Sequence, residues 1–163
     1  GKEDQVRYRT IQELDYEYVI ERLNSWWGGR NMADMLPRLF FTYFHDSSFI
    51  CIDEEKIVGF LVGFVSDSVK DTGYVHFVGV DPEYRHSNIA RTLYSMFFQY
   101  CKVKDVTTVK CVTSDVNKAS IAFHQKVGFE ASGYDDKGNP VVALNYDGSG
   151  EHRVLFKLQL GRL

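Results

Sequence analysis

Apolar residues recur along the chain with two periods, and these divide it into predicted strands and helices. Strand-like runs, most of them alternating, predict β-strands over residues 6–11, 48–52, 56–65, 74–80, 106–112, 141–146 and 153–160. Spacing of three and four residues predicts helices over residues 14–27, around 32–44, over 89–100 and over 117–126. The resulting order, β-α-α-β-β-β-α-β-α-β-β, mixes hairpins with crossover helices, so it predicts one mixed α/β sheet and not a doubly wound parallel one.

Composition narrows the class of protein. The 163 residues form one predicted domain, 1–163, because no linker or repeat interrupts them. The formal net charge of −3, without a basic stripe, argues against nucleic-acid binding, and no apolar run is long enough to predict a membrane span. The three cysteines lie in apolar runs and are predicted to be buried, inert thiols in a reducing cytoplasm. The five histidines lack metal-ligand spacing, so we expect no metal site.

The most informative segment runs from the strand at 74–80 through a loop into the helix at 89–100. Strand alternation predicts Tyr74, His76, Val78 and Val80 on one face, opposite Val75, Phe77 and Gly79. The first turn of a helix offers unpaired N–H groups and a partial positive charge, which together attract a phosphate. The alternative interpretation is an ordinary helix capped by Ser87 or Asn88.

Two motifs in this half of the chain carry a family resemblance. The loop from Val80 to Arg91 resembles the Arg/Gln-x-x-Gly-x-Gly/Ala signature of GNAT N-acetyltransferases, with Arg85 and Ala90 matching and Asn88 replacing the first glycine. Asparagine reaches positive φ more readily than other non-glycine residues, so we expect the loop to keep its shape. Residues 117–129 are similar to the family's Asn-x-x-Ala-x-x-Phe-Tyr-x-x-x-Gly-Phe helix. Helical spacing places Asn117, Ser120 and His124 on one stripe and predicts a buried stripe beside it, formed by Ala119, Phe123 and Val127. The resemblance implies a mostly antiparallel twisted sheet flanked by about four helices.

The resemblance also implies a cofactor, acetyl-CoA, and a set of contacts to it. Backbone N–H groups near Val78 and Val80 would bind the acetyl carbonyl and pantetheine arm, and Arg85 would contact the pyrophosphate. Asn117 would hydrogen-bond the pantetheine arm. The remaining predicted cofactor contacts lie in the loop and in the second motif: His86, Ser87, Asn88, Ile89, Ala90, Arg91, Ser120 and Phe123.

Two histidines are the predicted catalytic residues. In the family an amine attacks the thioester directly, so a base must take a proton and a donor assists the leaving thiolate. His124 stands where the family has its donor tyrosine, and His76 resembles a proton-relay histidine of the arylalkylamine acetyltransferases, with Tyr74 extending a water chain. In the alternative interpretation, His124 packs against the pantetheine arm and His76 is a hydrogen-bonded core residue.

The residues that bind the acceptor amine are predicted less specifically than those that bind the cofactor. The family places it between the first two helices, where Trp26, Trp27 and Arg30 could hold a flat or carboxylate-bearing amine, although both tryptophans could equally be core and Arg30 solvated. Asp147 and the turn at 134–136 could offer carboxylates to an ammonium group. We therefore predict an acetyl-CoA-dependent N-acetyltransferase of a small primary amine, and the resemblance adds a homodimer as a candidate assembly, since dimers are common in the family. The alternatives are acetylation of a protein or peptide amine and a non-catalytic acyl-CoA-binding module.

Overall fold

The computed structural model describes residues 5–161, and in this part of the chain seven strands form a single sheet flanked by helices. The elements follow the predicted order: β1 (Val6–Thr10), α1 (Asp15–Trp26), α2 (Leu39–Tyr43), β2 (Phe49–Asp53), β3 (Lys56–Val65), β4 (Thr72–Val80), α3 (Ile89–Val103), β5 (Thr108–Ser114), α4 (Lys118–Val127), β6 (Glu130–Ala131) and β7 (Arg153–Gln159). Short 3₁₀ turns at Ala33–Met35, His45–Ser47 and Pro82–Tyr84 complete the connections. The predicted fold class, a mixed and mostly antiparallel sheet with four helices, is confirmed.

The sheet has the strand order β1-β2-β3-β4-β5-β7-β6, and one pair of neighbours is parallel. That pair, β4 and β5, is joined over three residues only, from Thr72 opposite Thr108 to Tyr74 opposite Lys110. Beyond this point β4 continues to Val80 and β5 to Ser114 without pairing to each other. The sheet therefore opens at its centre, and the opening creates the cavity described below.

A β-bulge at His76 changes the side-chain pattern of β4. In the pairing with β3, Phe77 lies opposite Val62 whereas Val75 lies opposite Gly63, so His76 is the extra residue. Tyr74, His76 and Phe77 therefore contact the α1–α2 side, whereas Val78 contacts the α3 side. The prediction that Tyr74, His76, Val78 and Val80 share one face is wrong, because an inserted residue reverses the alternation that follows it.

The two faces of the sheet carry separate cores. On one face α3 packs so closely that a Cβ atom on Gly63 or Gly73 would lie 2.8 or 2.7 Å from Phe97 or Cys101 of the helix. The other face is covered by α1 and α2 through Val19, Leu23, Phe40 and Phe41, all buried. The three cysteines are buried, as predicted, and burial raises the pKa of Cys51 to about 11 and of Cys101 and Cys111 to about 12.

Two predicted elements differ from the structure. Residues 141–146 are not a strand, because Asn145 adopts a positive φ of 57° and, within residues 5–161, the segment forms just one β-bridge to β7, from Ala143 to Arg153. The sixth strand is instead Glu130–Ala131, immediately after α4. The single helix expected around 32–44 is divided into a 3₁₀ turn and α2, because a proline, here Pro37, has no N–H with which to continue a helix. No helix within residues 5–161 is long and apolar enough to cross a bilayer.

Candidate active site

A cavity of about 700 Å³ occupies the opening between β4 and β5. Its floor is β4, one wall is β5 with the first half of α4, and the opposite wall is the segment between α1 and α2. The loop before β7 closes one end. Eight of the predicted site residues line it: Trp27, Arg30, Tyr74, His76, Val78, Asn117, Ser120 and His124. The structure thus gathers residues from distant parts of the chain around one volume.

The unpaired edge of β4 supplies backbone donors. Asp81 N–H donates to the Val58 carbonyl at 2.8 Å, so in this antiparallel pair Gly79 also faces β3. The N–H groups of Val78 and Val80 consequently face away from β3, toward the side from which β5 has separated. This orientation is the one that the sequence prediction requires of these two residues.

His124 is almost fully buried at the inner end of the cavity, and both of its ring nitrogens are bonded. Nδ1 lies 2.7 Å from the Ser120 carbonyl, which can only accept, so Nδ1 carries the ring proton. Nε2 lies 2.6 Å from the Tyr94 hydroxyl and accepts its hydrogen. Burial lowers the pKa of His124, and the imidazole is therefore neutral at pH 7.

Tyr94 of α3 is a site residue that the sequence prediction missed. Its side chain is 1% exposed, lines the cavity and lies beside Cys111 of β5. Burial raises the pKa of Tyr94 well above 10, which keeps the hydroxyl protonated. Ile89, Leu93 and Phe97 recur at helical spacing in the sequence and are buried in α3, and Tyr94 adjoins this stripe by one position.

The predicted faces of α4 are partly wrong. Ala119 is exposed and Phe123 and Val127 are only half-buried, whereas Ile121 and His124 are buried. Phe123 packs tilted against Tyr94 and edge-on to His124 and does not line the cavity, so its predicted contact with the cofactor is not supported. Asn117 caps the helix, because its Oδ1 accepts the Ser120 N–H at 3.1 Å, and its amide nitrogen is left to donate.

His76 has a different environment on the opposite side of the opening. Its Nε2 lies 2.6 Å from the Met35 carbonyl, so Nε2 carries the ring proton and the lone pair of the neutral ring is on Nδ1. The ring stacks on Phe40, with 4.4 Å between centroids and an interplanar angle of 11°. Unlike His124, this half-buried histidine lacks a hydrogen-bond partner for its second nitrogen within residues 5–161.

The loop that precedes β7 adds charged groups that sequence reasoning largely missed. Arg153 is buried, and its guanidinium donates to Asp147 at 2.8 Å and to Glu151 at 3.3 Å. All three line the cavity, and together they carry a net charge of −1. Tyr74 lies near Asp147 and Arg153, and burial raises its pKa to about 12, so it is a neutral phenol at pH 7.

The two tryptophans at the end of α1 have separate environments. Trp26 is 5% exposed and stacks on Phe60 in the core, so the prediction that it binds the acceptor is wrong. Trp27 lines the cavity with its ring edge-on to Phe77. Arg30 also lines the cavity, is exposed, and has no ion-pair partner in the part of the chain that the structure describes.

The loop between β4 and α3 lies outside the lining of this cavity. Asn88 adopts φ −90°, so this position does not need the positive φ that a glycine would favour. Ile89 is fully buried, which leaves only its backbone for a contact with a cofactor. His86, Asn88 and Arg91 are exposed beside the first turn of α3, where N–H groups lack intrahelical partners.

Arg85 is differently placed from the prediction. Its Nη2 donates to the Trp26 carbonyl and its Nε donates to the Val80 carbonyl at 3.3 Å. The guanidinium also lies 5.4 Å from the ring centre of Trp27. These contacts direct Arg85 toward α1 and not toward the first turn of α3.

Comparison with known proteins identifies this arrangement. Residues 13–129 match the Acetyltransferase (GNAT) family, and this range contains β4, the loop before α3, and α4. This chain belongs to the GNAT acetyltransferase family. The family resemblance inferred from the two motifs is therefore confirmed.

The chain matches only part of the length of its curated relatives. A cysteine-rich protein 2-binding protein of Mus musculus is 30% identical over 131 residues, which are 74% of this chain and 15% of that protein. An L-2,4-diaminobutyric acid acetyltransferase of Shouchella clausii is 27% identical over 85 residues, which are 52% of this chain and 48% of that protein. The chain thus spans less than half the length of either relative.

Solved structures share the fold across nearly the whole chain. Ard1 from Thermoplasma volcanium superposes with a TM-score of 0.76 at 18% identity, covering 97% of this chain and 99% of the other. A diaminobutyrate acetyltransferase from Paenibacillus lautus, in complex with its substrate and coenzyme A, gives 0.69 at 22% identity, covering 97% and 98%. At these identities the likeness establishes the fold of this GNAT domain.

Acetyl-CoA is the cofactor of the family, and the residues present fit it. The N–H groups of Val78 and Val80 face the opening and remain available to an extended pantetheine arm. Asn117 and Ser120 line the wall that β5 and α4 form. The first turn of α3, which follows β4 after the loop at 81–88, would hold the pyrophosphate on its backbone N–H groups.

Proposed function

We propose that this GNAT domain transfers the acetyl group of acetyl-CoA to a primary amine of a small, carboxylate-bearing molecule. The observation that carries the proposal is that one continuous cavity fills the opening between β4 and β5. It joins the cofactor side, at Val78 and Asn117, to an acceptor side that carries acidic and basic side chains. Direct attack needs both reactants in one volume, because alignment alone can lower the barrier by ~7–11 kcal/mol.

The acceptor side suits a molecule that carries an ammonium and a carboxylate. Asp147 and Glu151 exceed the charge of Arg153 by one unit, which favours one ammonium group. Arg30, without an ion-pair partner in residues 5–161, offers a guanidinium to a carboxylate. Two curated relatives, 27% and 28% identical over about half of this chain, are named L-2,4-diaminobutyric acid acetyltransferases, which supports this substrate class.

His76 is the proposed base. Its Nε2 donates to the Met35 carbonyl, which leaves Nδ1 as the nitrogen that can accept a proton from the substrate amine, directly or through water. Tyr74 lies on the same side of β4, but its raised pKa prevents it from acting as a base at pH 7. We assign Tyr74 the part of a hydrogen-bonding link in the proton path.

On the cofactor side we propose Tyr94, in place of the His124 predicted from the sequence, as the proton donor to the leaving sulfur. When bound, acetyl-CoA supplies the thioester carbonyl that the amine attacks and a sulfur that leaves. The only ring proton of His124 is held by the Ser120 carbonyl, so the imidazole has none to give to that sulfur. Rotation of the Tyr94 hydroxyl would turn its hydrogen from His124 into the cavity, and His124 then acts as the residue that positions Tyr94.

A paired binding and turnover experiment tests this function. Calorimetry with acetyl-CoA is expected to show binding, and a thiol-release screen is expected to find turnover with diamino acids above that with matched diamines lacking the carboxylate. Arg30→Met should reduce the preference for the carboxylate without changing acetyl-CoA affinity. Binding without turnover of any amine would favour the acyl-CoA-binding module, and turnover of peptide N-termini alone would favour a peptide acetyltransferase.

A further inference from the structure

The C-terminal end of α1 lacks a cation of its own. Trp27 at this end lines the cavity wall formed by the segment between α1 and α2, which we call the acceptor wall. No basic residue lies in the last turn of the helix. The carbonyl groups of a last turn have no intrahelical partners and carry partial negative charge, so a cation stabilises them. Within residues 5–161, no backbone N–H donates to the Trp26 carbonyl, and Arg85 does so instead.

Arg85 thereby joins three parts of the molecule. Its Nε donates to the carbonyl of Val80, the last residue of β4, while its Nη2 reaches the end of α1. Its guanidinium also lies over Trp27, at 5.4 Å from the ring centre. Arg85 itself belongs to the loop that leads into α3, the predicted cofactor loop, so one side chain spans the cofactor and acceptor sides.

Trp27 has little freedom to move independently of this contact. A Cβ atom on Gly79 would lie 2.9 Å from its ring, so Trp27 packs directly on the backbone of β4. Its ring also meets Phe77 at 5.3 Å between centroids. The position of the acceptor wall is consequently set between β4 and Arg85.

We propose that Arg85 is a positioning residue for the acceptor wall, holding the end of α1 and Trp27 on the cofactor loop, and that binding the cofactor's phosphates is not its main role. This proposal deepens the proposed function, on which its kinetic test rests, whereas its spectroscopic test does not need an acceptor. An uncharged donor can replace Arg85 in this role. A phosphate contact, in contrast, depends on its positive charge.

Three variants separate the two roles, all made in a Trp26→Phe background so that Trp27 is the only tryptophan reporter. Arg85→Gln keeps an N–H donor without charge, and Arg85→Met keeps the length without a donor. Arg7→Met is the matched control, because it removes an exposed arginine charge from β1, outside the lining of the cavity. Each protein is studied by acrylamide quenching of Trp27, by calorimetry with acetyl-CoA, and by kinetics with the amine found in the screen.

The proposal predicts that Arg85→Met makes Trp27 more accessible to acrylamide and raises the acceptor KM about three- to tenfold, as expected for lost hydrogen bonds. Arg85→Gln and Arg7→Met should leave the Trp27 quenching and the acceptor KM near wild type. The affinity of the Arg85 variants for acetyl-CoA should stay within about threefold of wild type. Calorimetry also checks that every variant retains a folded site.

Two results would overturn the proposal. The first is a loss of acetyl-CoA affinity of tenfold or more in both Arg85 variants with unchanged Trp27 quenching, which would assign Arg85 to the phosphates. The second is wild-type quenching and acceptor KM in Arg85→Met. If the wild-type protein fails to bind acetyl-CoA, the proposed function fails, yet quenching of the free protein still decides the role of Arg85.

Discussion

The two sides of the opened sheet each present a histidine to the cavity, and their surroundings give them opposite chemistry. His124 is buried, and its nitrogens are bonded to the Ser120 carbonyl and the Tyr94 hydroxyl. His76 lies at a bulge, with Nε2 on the Met35 carbonyl and Nδ1 directed to no protein group within residues 5–161. One imidazole is therefore a fixed acceptor for a hydroxyl, and the other retains a lone pair for a substrate.

The difference shows that residue type does not assign the acid and the base. A histidine at the position of the family's donor tyrosine suggested an acid, yet helix α4 places its ring among aromatic side chains where protonation is unfavourable. The bulge, in contrast, turns His76 toward the acceptor wall. Backbone geometry and burial distinguish these roles. Three experiments test the distinction, and a fourth tests the loop on the cofactor side.

The largest expected effect is at His76. His76→Gln should lower kcat/KM at pH 7 by ~10²–10⁴-fold, because it removes the proposed base. Rates of the variant should recover at high pH as free amine becomes abundant, which a pH profile of kcat/KM measures. His45→Gln, at an exposed histidine paired with Asp46, is the control. A loss below threefold with an unchanged profile would remove the base role.

The next effect concerns the Tyr94–His124 pair. Tyr94→Phe should lower kcat at least about tenfold while acetyl-CoA affinity changes little, because the hydroxyl acts on the departing sulfur. His124→Phe should give a similar loss, and the double variant should be no worse than either single one, since the two residues act as a unit. Additive losses in this cycle would show that they act separately. His124→Tyr, which introduces the family's residue, should recover part of the rate that His124→Phe loses.

Stability against pH tests the burial of His124 directly. Burial lowers its pKa in the folded protein below the value near 6.5 of an exposed histidine. The unfolded chain therefore binds more protons than the folded protein between the folded pKa of His124 and pH 6.5. The free energy of unfolding consequently falls as the pH decreases through this window, by at most ~1 kcal/mol per pH unit. Thermal melts from pH 7.5 to 5 should show a smaller decline for His124→Phe, and parallel declines would contradict a neutral, buried His124.

The smallest effect is expected at Asn88. Asn88→Gly should leave acetyl-CoA affinity within about threefold and lower the free energy of unfolding by only a few tenths of a kcal/mol, because the asparagine side chain makes no capping hydrogen bond. Calorimetry and a thermal melt measure the two quantities. A large loss of affinity would show that the asparagine side chain itself binds the cofactor.

The sequence by itself determined the family, the order of the elements and one side of the site. Local patterns suffice for these features, because strand alternation, helical spacing and the two motifs depend on neighbouring residues. The bounds of β3 agree with the predicted 56–65, and Gly128 ends α4 at φ 121°. Asn117, Ser120 and His124 share a helical stripe in the sequence and line one cavity wall in the structure.

Only the tertiary structure decided which groups work together. The bulge at His76 depends on its pairing with β3, and no local pattern reveals an inserted residue. The partners of Arg85, Tyr94 and Arg153 depend on where distant helices and loops pack. A hydrogen bond such as Arg85 to Trp26, 59 residues apart, forms only after the chain has folded around it. Chemistry at this site is set by such long-range contacts, because burial and hydrogen bonding fix which atom of each side chain can hold a proton.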